Sequence, residues 1–258
     1  MYYSSRAVVI KNRDLKETDA LVTLFTEKQG KLTAVARGVK RAQSSLRACV
    51  QPFCQSQFYF HKGKSLDLIT QGKLLSFYGN SRQDLQRTLW CMYMMEILDK
   101  SLLDRVPMPD LYTSLCHVLD KLSEDTFHPV WIRYFEIRLL INLGYQPIID
   151  QCVKCGGTQL RPYQFCVAEG GLLCSQCARG QKVFALSGES LALIRLMIQN
   201  RYKALERVTV SREAEKQVER FLEQYLQYHL ERRFHLKDTI ALLKKRLDLP
   251  IDKPSGGC

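Results

Sequence analysis

Four cysteines in the second half of the chain have the residue type and the spacing of a metal site. Cys152 and Cys155 form one C-x-x-C pair, Cys174 and Cys177 form another, and eighteen residues separate the inner cysteines. Two residues between thiols let one tight turn direct both sulfurs to a common point, and two such turns complete a tetrahedron around Zn²⁺. Because all four ligands are thiolates, no coordination position remains for water or substrate. The pattern therefore predicts one structural zinc ion.

Three other interpretations of these cysteines remain open at this stage. They are two disulfides, free thiols that only look paired, and a redox C-x-x-C, although a redox motif normally occurs once and near a βαβ unit. Two glycine pairs, 156–157 and 170–171, stand where metal-binding turns need unusual backbone angles.

Length and composition indicate a globular protein of one large or two modest domains. The chain has 258 residues, of which 46% are hydrophobic and 25% charged. No signal-peptide core and no membrane-spanning run is present, so we expect a cytoplasmic, nucleoid-associated protein with reduced thiols. The cysteines without metal spacing are then expected to be buried small hydrophobes, except Cys258 in a flexible tail: Cys49, Cys54, Cys91, Cys116 and Cys166.

The charge is concentrated in the first third of the chain. The formal net charge is +12, and residues 1–79 hold thirteen Lys/Arg against five Asp/Glu, which leaves only +4 for the rest. A basic region of this kind predicts a polyanionic partner, with nucleic acid ahead of an anionic membrane.

The same basic region has the pattern of a small β-barrel. Short apolar or alternating runs predict strands at 7–10, 21–25, 31–36, 57–60 and 66–70, at roughly ten-residue spacing. We expect an OB-like barrel over residues 1–79, although spacing alone leaves an SH3-like barrel open.

The segment 37–47, here called the basic loop, separates the third and fourth predicted strands. It contains four basic residues and no acid, together with glycine and small polar residues. A loop of this composition can follow a phosphate backbone without demanding a sequence, although many charged loops are only solvated. Five nearby aromatics could stack on bases, but aromatics of small barrels are mostly core, so none is assigned: Phe53, Phe58, Tyr59, Phe60 and Tyr78.

From residue 81 the pattern becomes helical. Helices are predicted at 85–100 after a Ser81-x-x-Asp84 capping box, from Asp110 to 122, and at 130–143, with further helices from Ser187, from Ser211 and at 238–247. Arg133 and Arg138 interrupt the apolar third helix, and we expect them to be internally satisfied rather than phosphate ligands. The Lys244-Lys245-Arg246 triplet suits the end of the last helix as well as it suits DNA contact.

The predicted organisation is a barrel followed by a helical domain with a zinc insert. The nucleic-acid-binding barrel is predicted over residues 1–79 and the zinc module over 151–182. The helical bundle is predicted in two stretches, 80–150 and 183–247, on either side of the zinc module, and a flexible tail follows over 248–258. No P-loop, GxGxxG, HExxH or GxSxG motif occurs and the five histidines are scattered, so we predict no catalytic activity.

Several motifs together give the chain a family resemblance. They are Val9-Ile10-Lys11, Asp14, Glu17-Thr18-Asp19, Leu24-Phe25-Thr26, Gly30-Lys31-Leu32, Ala36-Arg37-Gly38-Val39-Lys40-Arg41, Leu46, Gln51-Pro52-Phe53, Leu143-Gly144-Tyr145-Gln146-Pro147, and the two cysteine pairs with Gly156 and Gly170-Gly171-Leu172-Leu173. In this order the motifs resemble RecO, the bacterial recombination mediator family of DNA repair. The resemblance spans nearly the whole chain.

The resemblance implies an OB-fold followed by a helical domain with a zinc module. It also implies binding of single- and double-stranded DNA and annealing of complementary strands, including strands coated by single-strand-binding protein. RecR would act with the protein to load RecA on gapped DNA, RecF would act alongside, and the helical domain would receive the acidic tail of single-strand-binding protein. Some relatives lack the four cysteines, so zinc is not required for the family's activity in general and would here stabilise the fold.

Residues and resemblance together predict a phosphate-binding barrel face. Its expected DNA contacts, mainly to the backbone and largely independent of sequence, are Arg37, Lys40, Arg41 and Arg47, aided by Arg6, Lys11, Arg13, Lys62 and Lys64. An RNA-binding zinc protein and a basic scaffold that binds only proteins are the alternatives.

Overall fold

The computed structural model describes residues 1–230, which form parts of two compact units. Met1–Val106 belongs to one, here the barrel unit, and residues 107–230 belong to the other, here the helical unit. The predicted helix at 238–247 with its basic triplet, and the predicted tail, lie outside the described residues. Among the described helices, none has the length and apolar character needed to span a membrane.

Five strands close into a barrel in the order β1-β2-β3-β5-β4. β1 pairs antiparallel with both β2 and β4, and β3 pairs in parallel with β5. This closure of five strands confirms the OB-fold expectation. The strands are β1 Tyr2–Asp14, β2 Ala20–Thr26, β3 Gly30–Ala36, β4 Gln55–His61 and β5 Asp67–Ser76.

Strand alternation builds the barrel core. Along β3 every second residue is buried, and the inward hydrophobic residues of the five strands form one cluster inside the barrel. β1 extends well beyond the predicted 7–10 because its polar outward residues continue the strand without continuing the apolar run. A register shift between Val9 and Lys11 bends it, so that its first half pairs with β4 and its second half with β2.

The connection between β3 and β4 closes one end of the barrel. Leu46, Cys49 and Val50 belong to the core cluster, and the Phe53 N–H donates to the Val9 carbonyl at 2.7 Å. A Cβ added at Gly72 of β5 would come within 2.9 Å of the Leu46 side chain, so glycine permits this close packing. The second half of the basic loop is therefore anchored by its apolar residues while its charged side chains stay outside.

Two helices belong to the barrel unit, α1 Gly79–Gln83 and α2 Leu85–Ser101. Asp84 is the N-cap of α2, and its side chain accepts from the Arg87 N–H at 2.7 Å. The predicted capping box was wrong in its first residue, because Ser81 lies buried in α1 rather than at the start of α2.

The position of α2 bears on the predicted domain boundary at 79–80. Asp99 near its end accepts a hydrogen bond from the Lys11 ammonium, and its carbonyl accepts from Lys31 Nζ at 2.8 Å. These contacts tie α2 to β1 and β3, and α2 clusters with the barrel. The predicted domain boundaries stay a prediction.

The helical unit contains α3 to α7 and a small three-stranded sheet in the order β7-β6-β8. Ser187 and Ser211 accept hydrogen bonds from Ser190 and Ala214 N–H groups, as their predicted roles at helix starts require. The elements are α3 Pro109–Leu122, α4 Val130–Asn142, β6 Gln164–Cys166, β7 Gly171–Leu173, β8 Phe184–Ala185, α5 Gly188–Ile198, α6 Tyr202–Leu205 and α7 Arg212–Leu230.

Helix α4 is the centre of this unit, since eleven of its thirteen residues are buried. Arg133 and Glu136 pair within it at 2.8 Å, and Arg133 also approaches Glu219 of α7 at 3.6 Å. Arg138 donates to the Ile198 carbonyl at 3.3 Å. Both arginines therefore have internal partners, as predicted from the sequence.

Candidate metal centre and nucleic-acid interface

The four predicted cysteine ligands meet at one point. The sulfurs of Cys152, Cys155, Cys174 and Cys177 all lie within 4.8 Å of one another. Cys155 Sγ and Cys174 Sγ, which belong to different pairs, are 3.8 Å apart. A tetrahedron with Zn–S bonds of about 2.3 Å has sulfur–sulfur edges of about 3.8 Å. The cluster therefore has the size and the donor set of a four-thiolate metal site.

Two backbone turns produce this convergence. In the first, the Gly156 N–H donates to the Cys152 carbonyl at 2.8 Å; in the second, the Ala178 N–H donates to the Cys174 carbonyl at 3.0 Å. Gly156 has φ of 71°, in the left-handed region where a side chain is strained. The Val153 N–H donates to the Leu172 carbonyl at 2.9 Å, which joins the first turn to β7.

Backbone N–H groups lower the pKa of Cys152 and Cys174, whereas hydrogen bonds with the neighbouring thiols raise the pKa of Cys155 and Cys177. Burial raises the pKa of Cys152, but the N–H groups of Cys174, Cys155 and Lys154 outweigh burial and lower that pKa to about 6. The Cys177 N–H is the largest cause of a lowered pKa at Cys174. A metal ion takes thiolates rather than thiols, so the backbone around Cys152 and Cys174 favours the form in which these two residues would bind one.

The geometry also distinguishes the alternatives for these cysteines. A disulfide has sulfurs about 2 Å apart in two separate pairs, whereas here four free thiols share one centre. The remaining described cysteines are buried, apart from the half-buried Cys116. Burial raises the pKa of the Cys91 thiol to about 12, in keeping with its predicted role as a small core residue.

The basic loop has an exposed row of cations. Arg37, Arg41 and Arg47 are exposed, and no carboxylate of residues 1–230 lies within ion-pair distance of any of them. The loop begins at a fixed place, because the Gly38 N–H donates to Asp19 Oδ1 at 2.8 Å. That N–H is the largest cause of the lowered pKa of Asp19. The cations therefore project from a turn anchored against the β1–β2 connection.

Three of the nine predicted contacts are engaged by acidic side chains. Arg6 forms a two-point pair with Glu27 at 2.7 and 3.0 Å, Lys40 pairs with Asp14 at 2.7 Å, and Lys11 pairs with Asp99. The Lys11 pair could not be predicted from local sequence, since its partner is 88 residues away. The Arg6 and Lys40 pairs are partly exposed, where an ion pair contributes little and can exchange for phosphate.

The structure separates the nine residues into groups rather than one face. The Lys40 N–H donates to the Thr18 carbonyl near the end of β1, whereas the Lys62 N–H donates to the Met1 carbonyl before its beginning. Lys62 and Lys64 therefore lie at one end of β1, and the basic loop with Arg13 lies at the other. Because β1 has thirteen residues, about 40 Å of extended strand separates the ends.

Three exposed lysines of the barrel unit, Lys16, Lys28 and Lys73, were not among the predicted contacts. Lys16 lies in the β1–β2 connection beside the basic loop, and Lys73 lies on β5. The strand register brings Lys73 level with Gln57 and Arg6, which no sequence spacing shows. Of the aromatics considered for stacking, only Tyr59 is exposed, and the other four are buried.

Comparisons with known proteins agree with this architecture along the chain. The profile of the Recombination protein O N terminal family matches residues 1–78, and that of Recombination protein O C terminal matches residues 82–238. A curated DNA repair protein RecO of Syntrophomonas wolfei is 52% identical over 248 residues, covering 96% of this chain and 99% of its own length. The chain belongs to the RecO family.

More distant RecO proteins also align over most of their length. The DNA repair protein RecO of Desulforamulus reducens is 30% identical over 246 residues, covering 94% of this chain and 95% of that protein. That of Thermoanaerobacter sp. is 31% identical over 244 residues, covering 93% and 97%. The family assignment, the barrel-then-helix architecture and the link to DNA repair predicted from the sequence are thereby confirmed.

Proposed function

We propose that this RecO family member is a non-enzymatic DNA-binding mediator of recombinational repair. The observation that supports it most is the exposed row of Arg37, Arg41 and Arg47, without acidic partners among residues 1–230, on a barrel unit of strongly positive sequence. Exposed guanidinium groups bind phosphate and release condensed counterions, whatever the base sequence. Single- and double-stranded DNA both offer that backbone.

Strand annealing follows from the same chemistry. Neutralising the phosphates of two strands removes their mutual repulsion, and binding both strands to one protein raises their local concentration. No bond is made or broken in this process. By family resemblance, the protein would act with RecR to help load RecA on gaps coated by single-strand-binding protein, with RecF alongside. It would work in the cytoplasm at the nucleoid.

The cysteine cluster would hold one structural zinc ion. Four thiolates match the softness of Zn²⁺ and fill its tetrahedral shell, so no position remains for a reacting water. When bound, the ion would fix the two turns of the cysteine module relative to each other. We assign it stabilisation and no step in DNA handling.

Fluorescence anisotropy with labelled DNA over a salt series tests the DNA-binding proposal. We expect steep salt dependence for the unaltered protein, and a combined Arg37→Ala, Arg41→Ala and Arg47→Ala variant should bind more weakly to every sequence. Its slope of log affinity against log salt should fall by about one unit per lost phosphate contact.

A matched control removes the same charge from the helical unit. Arg179, Lys182 and Lys203 are exposed there, and their alanine variant should keep the steep slope. Loss of slope only in this control would place the DNA site on the helical unit. Absence of salt-sensitive binding to DNA would contradict the proposal and favour a protein-only scaffold, and a strong preference for structured RNA would favour an RNA-binding protein.

A further inference from the structure

The outward faces of β1, β4 and β5 form a continuous surface of exposed and partly exposed residues, here called the β1–β4–β5 face. The register places Ser4 beside Tyr59 and Tyr59 beside Gln71. The rows before and after it along β1 complete the face, which consists of Tyr2, Ser4, Arg6, Gln57, Tyr59, His61, Gln71 and Lys73. Successive rows are two residues apart along a strand, or about 7 Å.

Two tyrosines expose their rings on this face. Tyr2 is 73% exposed and Tyr59 is 47% exposed, in a protein where most aromatic side chains of the barrel are buried. They are diagonal neighbours on adjacent strands: Tyr59 of β4 lies opposite Ser4 of β1, and Tyr2 lies two residues before Ser4 on the same face. A shallow cavity of about 560 Å³ is lined by both tyrosines together with Tyr3, Ser4, Thr70 and Gln71. The Tyr2 ring contacts His61 edge-on at 4.8 Å, which supports it from one side.

The charges around the tyrosines are mainly positive. Arg6 and Lys73 flank Gln57 in the row next to Tyr59, and Lys62 follows the end of β4. One carboxylate lies beside this row, that of Glu27, which forms an ion pair with Arg6. Lys62 and Lys73 are exposed, and no carboxylate in the described part of the chain lies within ion-pair distance of either. Exposed aromatic rings between cations are the arrangement that binds single-stranded nucleic acid.

The face that OB-folds usually offer to ligands is partly covered by this chain itself. Ligands of OB-folds commonly lie across strands 2 and 3. Here the Arg105 N–H donates to the Lys31 carbonyl at 2.7 Å, and Lys31 Nζ bonds to the Asp99 carbonyl. Phe25, an outward residue of β2 level with Lys31, is fully buried. The segment after α2 therefore occupies part of the β2–β3 surface, while the β1–β4–β5 face stays open.

We propose that the β1–β4–β5 face binds unpaired bases of single-stranded DNA, which stack on Tyr59 and Tyr2 while Lys62 and Lys73 contact the phosphates. This subsite rests on the proposed DNA-binding function and adds strand selectivity to it. The basic loop contacts backbone, which both forms of DNA possess. Stacking requires a free base face, and a duplex keeps its bases inside.

The test compares two probes, a labelled dT20 strand and a 20-base-pair duplex, on the full chain. Tyr59→Ala and Tyr2→Ala should each raise the Kd for dT20 by about fivefold or more, because stacking contributes about 1–3 kcal/mol per base. The Kd for the duplex should change less than about twofold, which corresponds to under about 0.5 kcal/mol. Tyr59→Phe keeps the ring and should bind as the unaltered protein does. Tyr228→Ala removes an exposed tyrosine of α7 and should change neither Kd.

Photocrosslinking of the unaltered protein gives a second readout that does not depend on variants folding. An oligonucleotide with 5-iododeoxyuridine should form adducts on peptides containing Tyr2 or Tyr59. Adducts elsewhere, together with unchanged dT20 binding in both alanine variants, would overturn the stacking proposal while the arginine variant of the basic loop still tests the proposed function. Equal loss of duplex and single-strand binding in the tyrosine variants would also overturn it. Absence of any DNA binding would contradict both proposals.

Discussion

The Arg105 guanidinium donates to Asp67 Oδ2 at 2.9 Å, which links the segment after α2 to the first residue of β5. The same oxygen accepts from the Tyr3 hydroxyl at 2.5 Å, and the other oxygen accepts from the Gly63 N–H at 3.2 Å. Asp67 is 1% exposed, so its charge is held almost entirely by these donors. One carboxylate therefore joins β1, the β4–β5 connection and the segment beyond α2.

This carboxylate should make the barrel unit sensitive to acid. Burial raises the pKa of Asp67, but the bonds from Tyr3, Arg105 and Gly63 outweigh it and lower the pKa below its ordinary value. Since the folded pKa is depressed, the stabilisation is present above the unfolded pKa of about 4 and is lost as pH falls through the folded pKa. Asp67→Asn should reduce the free energy of unfolding at pH 7 by about 2 kcal/mol.

Tryptophan fluorescence can follow that unfolding in the barrel unit alone. The chain has two tryptophans, and Trp131→Phe leaves Trp90 of α2 as the reporter. In urea titrations the difference between Asp and Asn should shrink as the pH is lowered below about 4. The control Asp14→Asn affects an exposed ion pair and should change stability by under about 1 kcal/mol. A difference that grows on acidification would contradict the role of Asp67.

The cysteine cluster predicts a metal content that can be counted. Purified protein should contain near one zinc ion per chain, and a Cys152→Ser, Cys174→Ser double variant should contain almost none, because each turn would lose a ligand. The control is Cys116→Ser, which lies outside the cluster. Elemental analysis and a colorimetric zinc-release assay make the measurement. Full zinc content in the double variant would remove these cysteines as ligands.

The buried pair in α4 should contribute measurably to the stability of the helical unit. Glu136→Gln removes the carboxylate 2.8 Å from Arg133, whose side chain is 6% exposed, and Glu219 at 3.6 Å compensates that charge less well, so we expect a loss of about 3 kcal/mol. Replacing both residues by Met and Leu should cost less than the single change, because no buried charge remains. Urea unfolding with Trp131 as the reporter, in a Trp90→Phe background, measures both. The exposed pair Arg195–Asp150 provides the control, since Asp150→Asn should cost under about 1 kcal/mol.

Two cations of the barrel unit should separate stability from DNA binding. Arg47→Met should leave stability within about 0.5 kcal/mol and reduce the salt slope of DNA binding by about one unit. Lys11→Met should lower stability and leave the salt slope of DNA binding unchanged, because the Lys11 ammonium pairs with Asp99 and joins α2 to β1. Thermal unfolding and anisotropy on the same preparations compare them. Equal DNA effects of the two changes would show that ion pairing does not separate the predicted contacts.

Local pattern predicted the elements well where one physical rule governs them. The spacing of the two cysteine pairs predicts their turns, and Ser187 and Ser211 begin helices as predicted. The alternation of buried and partly exposed residues in β3 predicts a strand with one face toward the barrel core. Local pattern failed where a long-range partner decides. Asp99 could not be predicted as the partner of Lys11 because the two residues are far apart in the chain. The apolar run of β1 covers only part of the strand, because the outward residues that continue the strand are polar. The cysteine cluster was predictable to the residue, whereas the separation of Lys62 and Lys64 from the basic loop needed the backbone contacts at the two ends of β1.

The closure of the barrel has a consequence for a protein that would gather on DNA. Each of the five strands pairs with two neighbours, although β3 and β5 pair only at Ala34–Ala36, and further along β3 the Lys31 carbonyl accepts from the Arg105 N–H instead. Most of the barrel backbone is therefore already paired, which would limit polymerisation through β-pairing when many copies crowd along one nucleic-acid strand. We therefore expect this domain to contact other proteins mainly through its side-chain surfaces.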